Sequence, residues 1–234
     1  MKTLRKVSIL ALMALLVGGA TLSRATDIYN NSTNDLGVRF AFTNGLGGSV
    51  SRQLGDEIVF AGTERFLTNF SFEYYLEGPT LATGRVSRVT FQLNDGTPFN
   101  TYDTPGTTFY DSGWFSIGAM ATPRSTVSFE AGVDFPLNGL FMPLTSTNFT
   151  FTVQFGNLDP DDNIGLDIYN PPVVGGAYND FWEFNGTWSL QTNNAVPVNF
   201  GAVFQATVPE PTAIVLLLLG GLGWFTALRR SQKE

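Results

Sequence analysis

Between the two ends of the chain, large apolar residues recur at every second position, with polar residues in the gaps. Phe70, Phe72, Tyr74 and Leu76 alternate with Ser71, Glu73, Tyr75 and Glu77, and Phe149, Phe151, Val153 and Phe155 alternate with Thr150, Thr152 and Gln154. Successive side chains of a strand point to opposite faces, so a period of two predicts strands with one buried face. The same alternation runs through Val89, Phe91 and Leu93, through Val127, Phe129 and Ala131, through Ile164, Leu166 and Ile168, and through Phe200, Ala202, Phe204 and Ala206. No interior segment sustains a helical period. Gly78-Pro79, Asn94-Asp95-Gly96, Thr104-Pro105-Gly106, Asn138-Gly139 and Asn170-Pro171-Pro172 punctuate the runs as turn or breaker signals. The pattern predicts an all-β domain of about eight to eleven short strands: a two-sheet antiparallel β-sandwich, jelly-roll-like with Greek-key connections. An up-and-down barrel is the alternative. The Asn/Ser/Thr/Gly-rich stretches Asn30 to Asn34 and Asn44 to Ser49 predict a mobile or edge-strand beginning.

The two ends follow a different logic. A basic start (Lys2, Arg5, Lys6), an apolar run from Val7 to Val17, and Ser23 and Ala25 at the −3 and −1 positions form the three parts of a secretory signal peptide cleaved after Ala25. Gly18 and Ala20 offer a second cleavage site. The apolar run is too short for a comfortable membrane span, which favours cleavage over retention as an anchor. The Sec translocon and signal peptidase are the expected partners of this end. At the other end Val208-Pro209-Glu210-Pro211 precedes Thr212 to Leu228, 17 residues without a charge, and then Arg229, Arg230 and Lys233. As a helix that stretch spans about 25 Å, enough for a thin bilayer. Basic residues flanking a transmembrane helix stay cytoplasmic, which places the domain outside. Pro209 and Pro211 cannot extend the helix upstream, so the motif lies in extended, exposed chain beside the membrane. The expected organisation is a signal peptide over 1–25, an ectodomain over 26–207 and a C-terminal sorting segment over 208–234.

That C-terminal arrangement resembles the PEP-CTERM sorting signal, in which a Pro-Glu-Pro motif, a transmembrane helix and a basic tail follow one another at the end of the chain. The resemblance implies recognition by an exosortase, a membrane-embedded cysteine transpeptidase-like enzyme. It further implies cleavage near Pro209 to Pro211, a transient membrane anchor, and delivery to the cell surface or extracellular matrix of a bacterium that makes exopolysaccharide and biofilm. No Ser/Thr-rich or Pro-rich spacer precedes the motif, which keeps the domain close to the membrane. Phrases such as Asp111-Ser112-Gly113-Trp114-Phe115 look like those of β-rich ectodomains that accompany such signals, and they imply location rather than chemistry.

Composition narrows the chemistry. The chain has 21 Phe, 7 Tyr and 4 Trp with 25 Gly and 12 Pro, enough bulk for a sizeable core and enough turn formers to connect short strands. It has no Cys and no His, which removes disulfides, thiol nucleophiles, imidazole bases and the commonest zinc ligands. Residues 26–207 hold six arginines, no lysine and eighteen acids, a formal charge of −12. Such a charge repels nucleic acid phosphates and anionic lipid headgroups, so no nucleic-acid partner is expected.

Three constellations remain. Asp159, Asp161, Asp162 and Asn163 crowd hard oxygen donors into five residues, a candidate structural calcium site, although the glycine and distal glutamate of an EF-hand loop are missing. A solvated turn is the simpler reading of that run, and no other cofactor is expected. Asp95 and Asp103 are weaker separate candidates. Tyr169, Tyr178, Trp182 and Trp188 could stack on sugar rings as candidate carbohydrate-binding residues, with core packing as the competing role. Glu73 and Glu77 share a strand face, for which a surface edge is the simplest explanation. Ser112 has no histidine or lysine to activate it, which disfavours a nucleophilic hydrolase. The expectation is therefore a non-catalytic structural or adhesive β-sandwich linked to extracellular polysaccharide. Its rival is a carboxylate-dependent polysaccharide hydrolase or lyase, which would require two acids converging in an aromatic-lined groove.

Overall fold

The computed structural model describes residues 24–41, 52–78, 84–118, 121–143, 148–192 and 197–208. Residues 1–23 of the expected signal peptide, Pro209 to Pro211, the apolar stretch 212–228 and Arg229, Arg230 and Lys233 lie outside them, as do Pro79 and Asn44 to Ser49. No helix among the described residues is long and apolar enough to cross a membrane. One compact unit runs from Ala25 to Thr207.

The unit is all-β, with two antiparallel sheets. The first contains β1 (Thr26–Asn31), β2 (Asp35–Ala41), β4 (Phe66–Glu77), β8 (Thr122–Glu130), β9 (Leu140–Phe141), β11 (Asn163–Tyr169) and β15 (Ala202–Thr207). The second contains β3 (Gln53–Val59), β5 (Val86–Gln92), β6 (Thr108–Asp111), β7 (Phe115–Ser116), β10 (Asn148–Gly156), β12 (Gly176–Ala177), β13 (Asp180–Phe184) and β14 (Trp188–Thr192). These fifteen segments exceed the expected number because short strands share the long ones. Twelve-residue β4 pairs β15 over Phe66 to Phe72 and β11 over Tyr74 to Glu77 on one side, and β9 and β8 on the other.

The two sheets share one core built from the predicted alternation. Phe70, Phe72, Ile164, Leu166, Ile168, Phe200, Ala202, Phe204 and Ala206 from the first sheet and its flanks meet Val89, Phe91, Phe149, Phe151, Val153 and Phe155 from the second. Aromatic rings cross the gap directly: Phe70 meets Phe91 at 5.0 Å edge to face and Phe151 at 5.9 Å. Edge-to-face contacts at these distances add stability beyond area burial.

Two expectations need correction. The alternation in β10 predicts one buried face, yet both its faces are buried. The β5–β6 loop folds back over the outer face of the second sheet, where Thr150 donates to Asn94 Oδ1 at 2.7 Å, while Thr90 and Thr152 share a hydrogen bond at 2.6 Å beneath it. Glu73 is not on a surface edge. β4 has neighbours on both sides, and Glu73 is buried beneath a two-bond contact with Arg124 (2.6 and 2.9 Å) and the hydroxyl of Tyr169. Asn30 and Asn31 lie on the edge strand β1, the second of the two expected alternatives, where buried Asn31 donates its amide to the Tyr169 and Phe200 carbonyls at 3.1 and 3.3 Å. Gly165, between β2 and β4, leaves no space for a side chain, because a Cβ there would strike the Phe40 carbonyl and the Tyr75 ring.

Candidate functional site

Inner residues of β3 (Leu54, Asp56, Ile58) face the core, which turns Gly55, Glu57 and Val59 to the outer face of the second sheet. On one side β3 pairs β10, which brings Asn148 onto that face; on the other it pairs β13 with Trp182 opposite Gly55. Asp180, two residues before Trp182 on β13, brings a second carboxylate close enough for its charge to act on Glu57.

The β5–β6 loop forms the facing wall. Its stalk is closed by backbone bonds between Leu93 and Thr107, between Gly96 and Thr104, and between Gly106 and Leu93, all 2.8–2.9 Å. Gly96 and Gly106 allow this pinch: a Cβ on Gly106 would lie 2.6 Å from the Gly96 nitrogen. Phe99 and Tyr102 bridge near the tip, where Asn100 takes a positive φ of 57°. Phe99 packs edge to face on Trp182 at 6.4 Å and seats the loop on the sheet.

Between wall and sheet lies a cleft of about 540 Å³, lined by Glu57, Asn94, Asp95, Tyr102, Asp103, Asn148, Tyr178, Asp180, Trp182 and the aliphatic Leu93 and Leu190. That volume falls within the range of small-molecule sites. Tyr102 and Tyr178 are 58% and 49% exposed and offer ring surface to a ligand, whereas Trp182 is 1% exposed and forms the floor. Asn148 donates to Glu57 at 2.5 Å. The indole Nε1 of Trp182 and the amide Nδ2 of Asn94, both beside Glu57, are buried donors without a partner. Burial pushes the Glu57 carboxyl up; the Asn148 hydrogen bond and the neighbouring Trp182 and Asn94 donors, which approach it without closing a full bond, oppose this, and the Asp180 charge adds to it. Burial likewise raises Asp180.

The sequence-predicted residues divide. Tyr178 and Trp182 meet in this cleft together with Asp95 and Asp103. Trp188 lines an adjoining depression with Phe184, Phe99, Pro98 and Pro105. Tyr169 does not join them: it is fully buried on the first sheet, held by Glu73 and covered by the Arg124 guanidinium 5.1 Å above its ring. It cannot stack on a sugar. Ala25 and Val208 bound the compact unit and take no part in the cleft.

The acidic turn is not simply solvated either. Asp162 is buried and accepts from Arg85 Nε at 2.8 Å and Nη2 at 2.5 Å, and from the Asp159 amide at 2.9 Å. Burial acts upward on its carboxyl, but the Arg85 bonds and charge outweigh it and hold it below the ordinary range. Asn163 turns away to donate to Glu77 at 3.0 Å. The four oxygen-bearing side chains therefore do not converge, and among the described residues no group of three or more His, Cys, Asp or Glu is placed to hold a metal.

Glu57, Asp180, Asn148, Asn94 and Tyr102 were missed from sequence. The available signal was Asp56-Glu57, two acids inside an otherwise apolar strand.

Asp56 itself faces the core, accepting the Phe200 amide at 2.8 Å with its other oxygen unpartnered. Burial raises its pKa well above the usual value, and in the first sheet burial raises Asp167 to about 6. A carboxyl raised on folding contributes stability below its unfolded pKa and loses it as pH climbs through the folded one. The depressed carboxyls of Asp111 and Asp162 act the other way, losing their contribution only as pH falls below the ordinary carboxylate range. The melting temperature is therefore expected to peak near pH 4–5 and fall toward pH 7. Asp56→Asn, which keeps an acceptor for Phe200 and cannot ionise, should flatten this fall and raise the melting temperature at pH 7 more than at pH 4. Thermal melts across this range check both; a wild-type profile flat from pH 4 to 7 contradicts them.

No protein-family model matches the chain, and comparison with characterised proteins and with solved structures gave no significant match.

Proposed function

We propose that the chain is the precursor of an exported surface or matrix protein, tethered through its C-terminal segment, processed by an exosortase, and built to bind extracellular polysaccharide with a jelly-roll-like sandwich. The cleft carries the binding part of this reading. A sugar hydroxyl both donates and accepts, so one hydroxyl can accept from Trp182 Nε1 or Asn94 Nδ2 while donating to Glu57 or Asp180. The exposed rings of Tyr102 and Tyr178 suit the C–H faces of a pyranose. The sorting part rests on Val208-Pro209-Glu210-Pro211, the apolar stretch and the basic tail.

Two measurements test the halves separately. Mass spectrometry of the protein from a native producer should find termini near Thr26 and Pro209, with the C-terminal cut lost in a strain lacking the exosortase; a chain ending at Glu234 in both strains contradicts the sorting route. Affinity electrophoresis in the producer's polysaccharide should retard the protein. Tyr178→Ala, at an exposed position, should cost about 1–2 kcal/mol of binding without altering the melt. Equal retardation of wild type and variant contradicts the cleft as the site.

A second reading is favoured by one observation. Glu57 and Asp180, both raised, face the same cleft as Trp182, the constellation that carboxylate-dependent glycoside hydrolysis needs, with a protonated acid and a second carboxylate. Release of reducing ends by the wild type and its loss in Glu57→Gln would establish it over binding alone.

A further inference from the structure

We infer that the cleft selects its glycan by charge, taking sugars that carry protonated amines and rejecting polymers of uronic acids; this rests on the glycan-binding reading above. Four carboxylates, Glu57, Asp95, Asp103 and Asp180, line the cleft, and among the described residues no arginine does. Residues 26–207 contain no lysine or histidine to compensate them. Arg39, Arg52, Arg85, Arg88 and Arg124 are each committed to an acid elsewhere: Glu77, Glu183, Asp162, Asp111 and Glu73 respectively. A uronate placed here would meet only like charge in a partly desolvated site, which costs several kilocalories in comparable interfaces.

A bare metal ion does not answer the same charge. The four acids surround the cleft instead of converging, since no three metal-ligating acids among the described residues come together. Nor can a metal satisfy buried donors. Trp182, 1% exposed, forms the floor of the cleft, and its Nε1 beside Glu57 is a buried donor that lacks a full hydrogen bond. A ligand presenting several ammonium groups among hydroxyl and ring oxygens meets both demands along its length. The exposed Tyr102 and Tyr178 rings add a stacking surface for sugar C–H faces, whatever the charge of the sugar. Burial raises both the Glu57 and Asp180 carboxyls, the Asp180 charge adding to the first, and a bound ammonium would lower both.

The test is calorimetric titration of the full-length protein, in a detergent without a sugar headgroup, with glucosamine, N-acetylglucosamine and galacturonate oligomers of equal length at slightly acidic pH. The glucosamine oligomer should bind at least about tenfold more tightly than its acetylated counterpart, with the gap narrowing as salt is raised. Asp103→Asn, at a surface position, and Asp180→Asn should each narrow the gap, while Tyr178→Ala should weaken both oligomers alike. Equal affinity for the amine and acetylated oligomers overturns charge selection and leaves glycan binding standing, as does tightest binding of galacturonate. Absence of binding by all three overturns both. Unchanged melting curves for the Asp103 and Tyr178 variants keep misfolding out of the interpretation.

Discussion

Arg85→Met is expected to destabilise the domain by about 3–5 kcal/mol, the cost of leaving a buried charge without its partner. Both side chains of the Arg85–Asp162 pair are 0% exposed, and the guanidinium meets the carboxylate through two donors at 2.8 and 2.5 Å. Removing the arginine strands Asp162 in a site it cannot leave. It sits against Gly78, where a Cβ would already strike its carboxylate, and accepts the Asp159 amide that closes the turn between β10 and β11. The double variant Arg85→Met with Asp162→Leu should recover most of the loss, because an apolar pair of similar volume is often as stable as a buried ion pair. Urea denaturation of both variants measures this. A loss under about 1 kcal/mol for Arg85→Met would show that water reaches Asp162 in the folded protein.

Phe204→Ala should cost about 3–5 kcal/mol by opening a cavity at the centre of the core. From β15 its ring meets Phe70 at 4.5 Å within its own sheet and Phe91, Phe149 and Phe151 at 5.5, 5.5 and 5.8 Å across the gap, with Phe60 at 5.8 Å. No single neighbour can collapse into the space without leaving others. Phe141→Ala is the control: that ring is 49% exposed and packs on Phe66 at 5.3 Å, so its loss should stay within about 0.5–1 kcal/mol. Equal losses for the two phenylalanines, measured by chemical denaturation, would mean that the sheets do not depend on this aromatic cluster.

The core was legible because alternation is a local property. Phe200 to Ala206 reads as a strand with one apolar face, and that face is the one β15 turns inward. What covers the other face is not local. β10 and β4 carry polar residues on their outer faces, and only the returning β5–β6 loop and the arginines of neighbouring strands bury them. The same limit explains the acidic turn: Asp162 reads as solvated until Arg85, 77 residues away in the chain, is placed beside it. Tyr169 and Tyr178 belong to one aromatic-rich stretch, yet strand β11 takes the first to the outer face of the first sheet, while the return to β13 leaves the second over the cleft. Half of the candidate site could be found as an aromatic stretch. Its carboxylates required the pairing of β3 with β13, because one acid in a strand has no periodic signature.

The cleft's role is tested most directly by hydrogen–deuterium exchange of the native protein with and without the producer's polysaccharide. Protection is predicted in Leu93 to Thr107 and in Tyr178 to Leu190, the wall and floor of the cleft, and it should vanish in the Tyr178→Ala variant. Unchanged exchange in both segments, or protection confined to the β4–β8 face of the other sheet, would contradict the account.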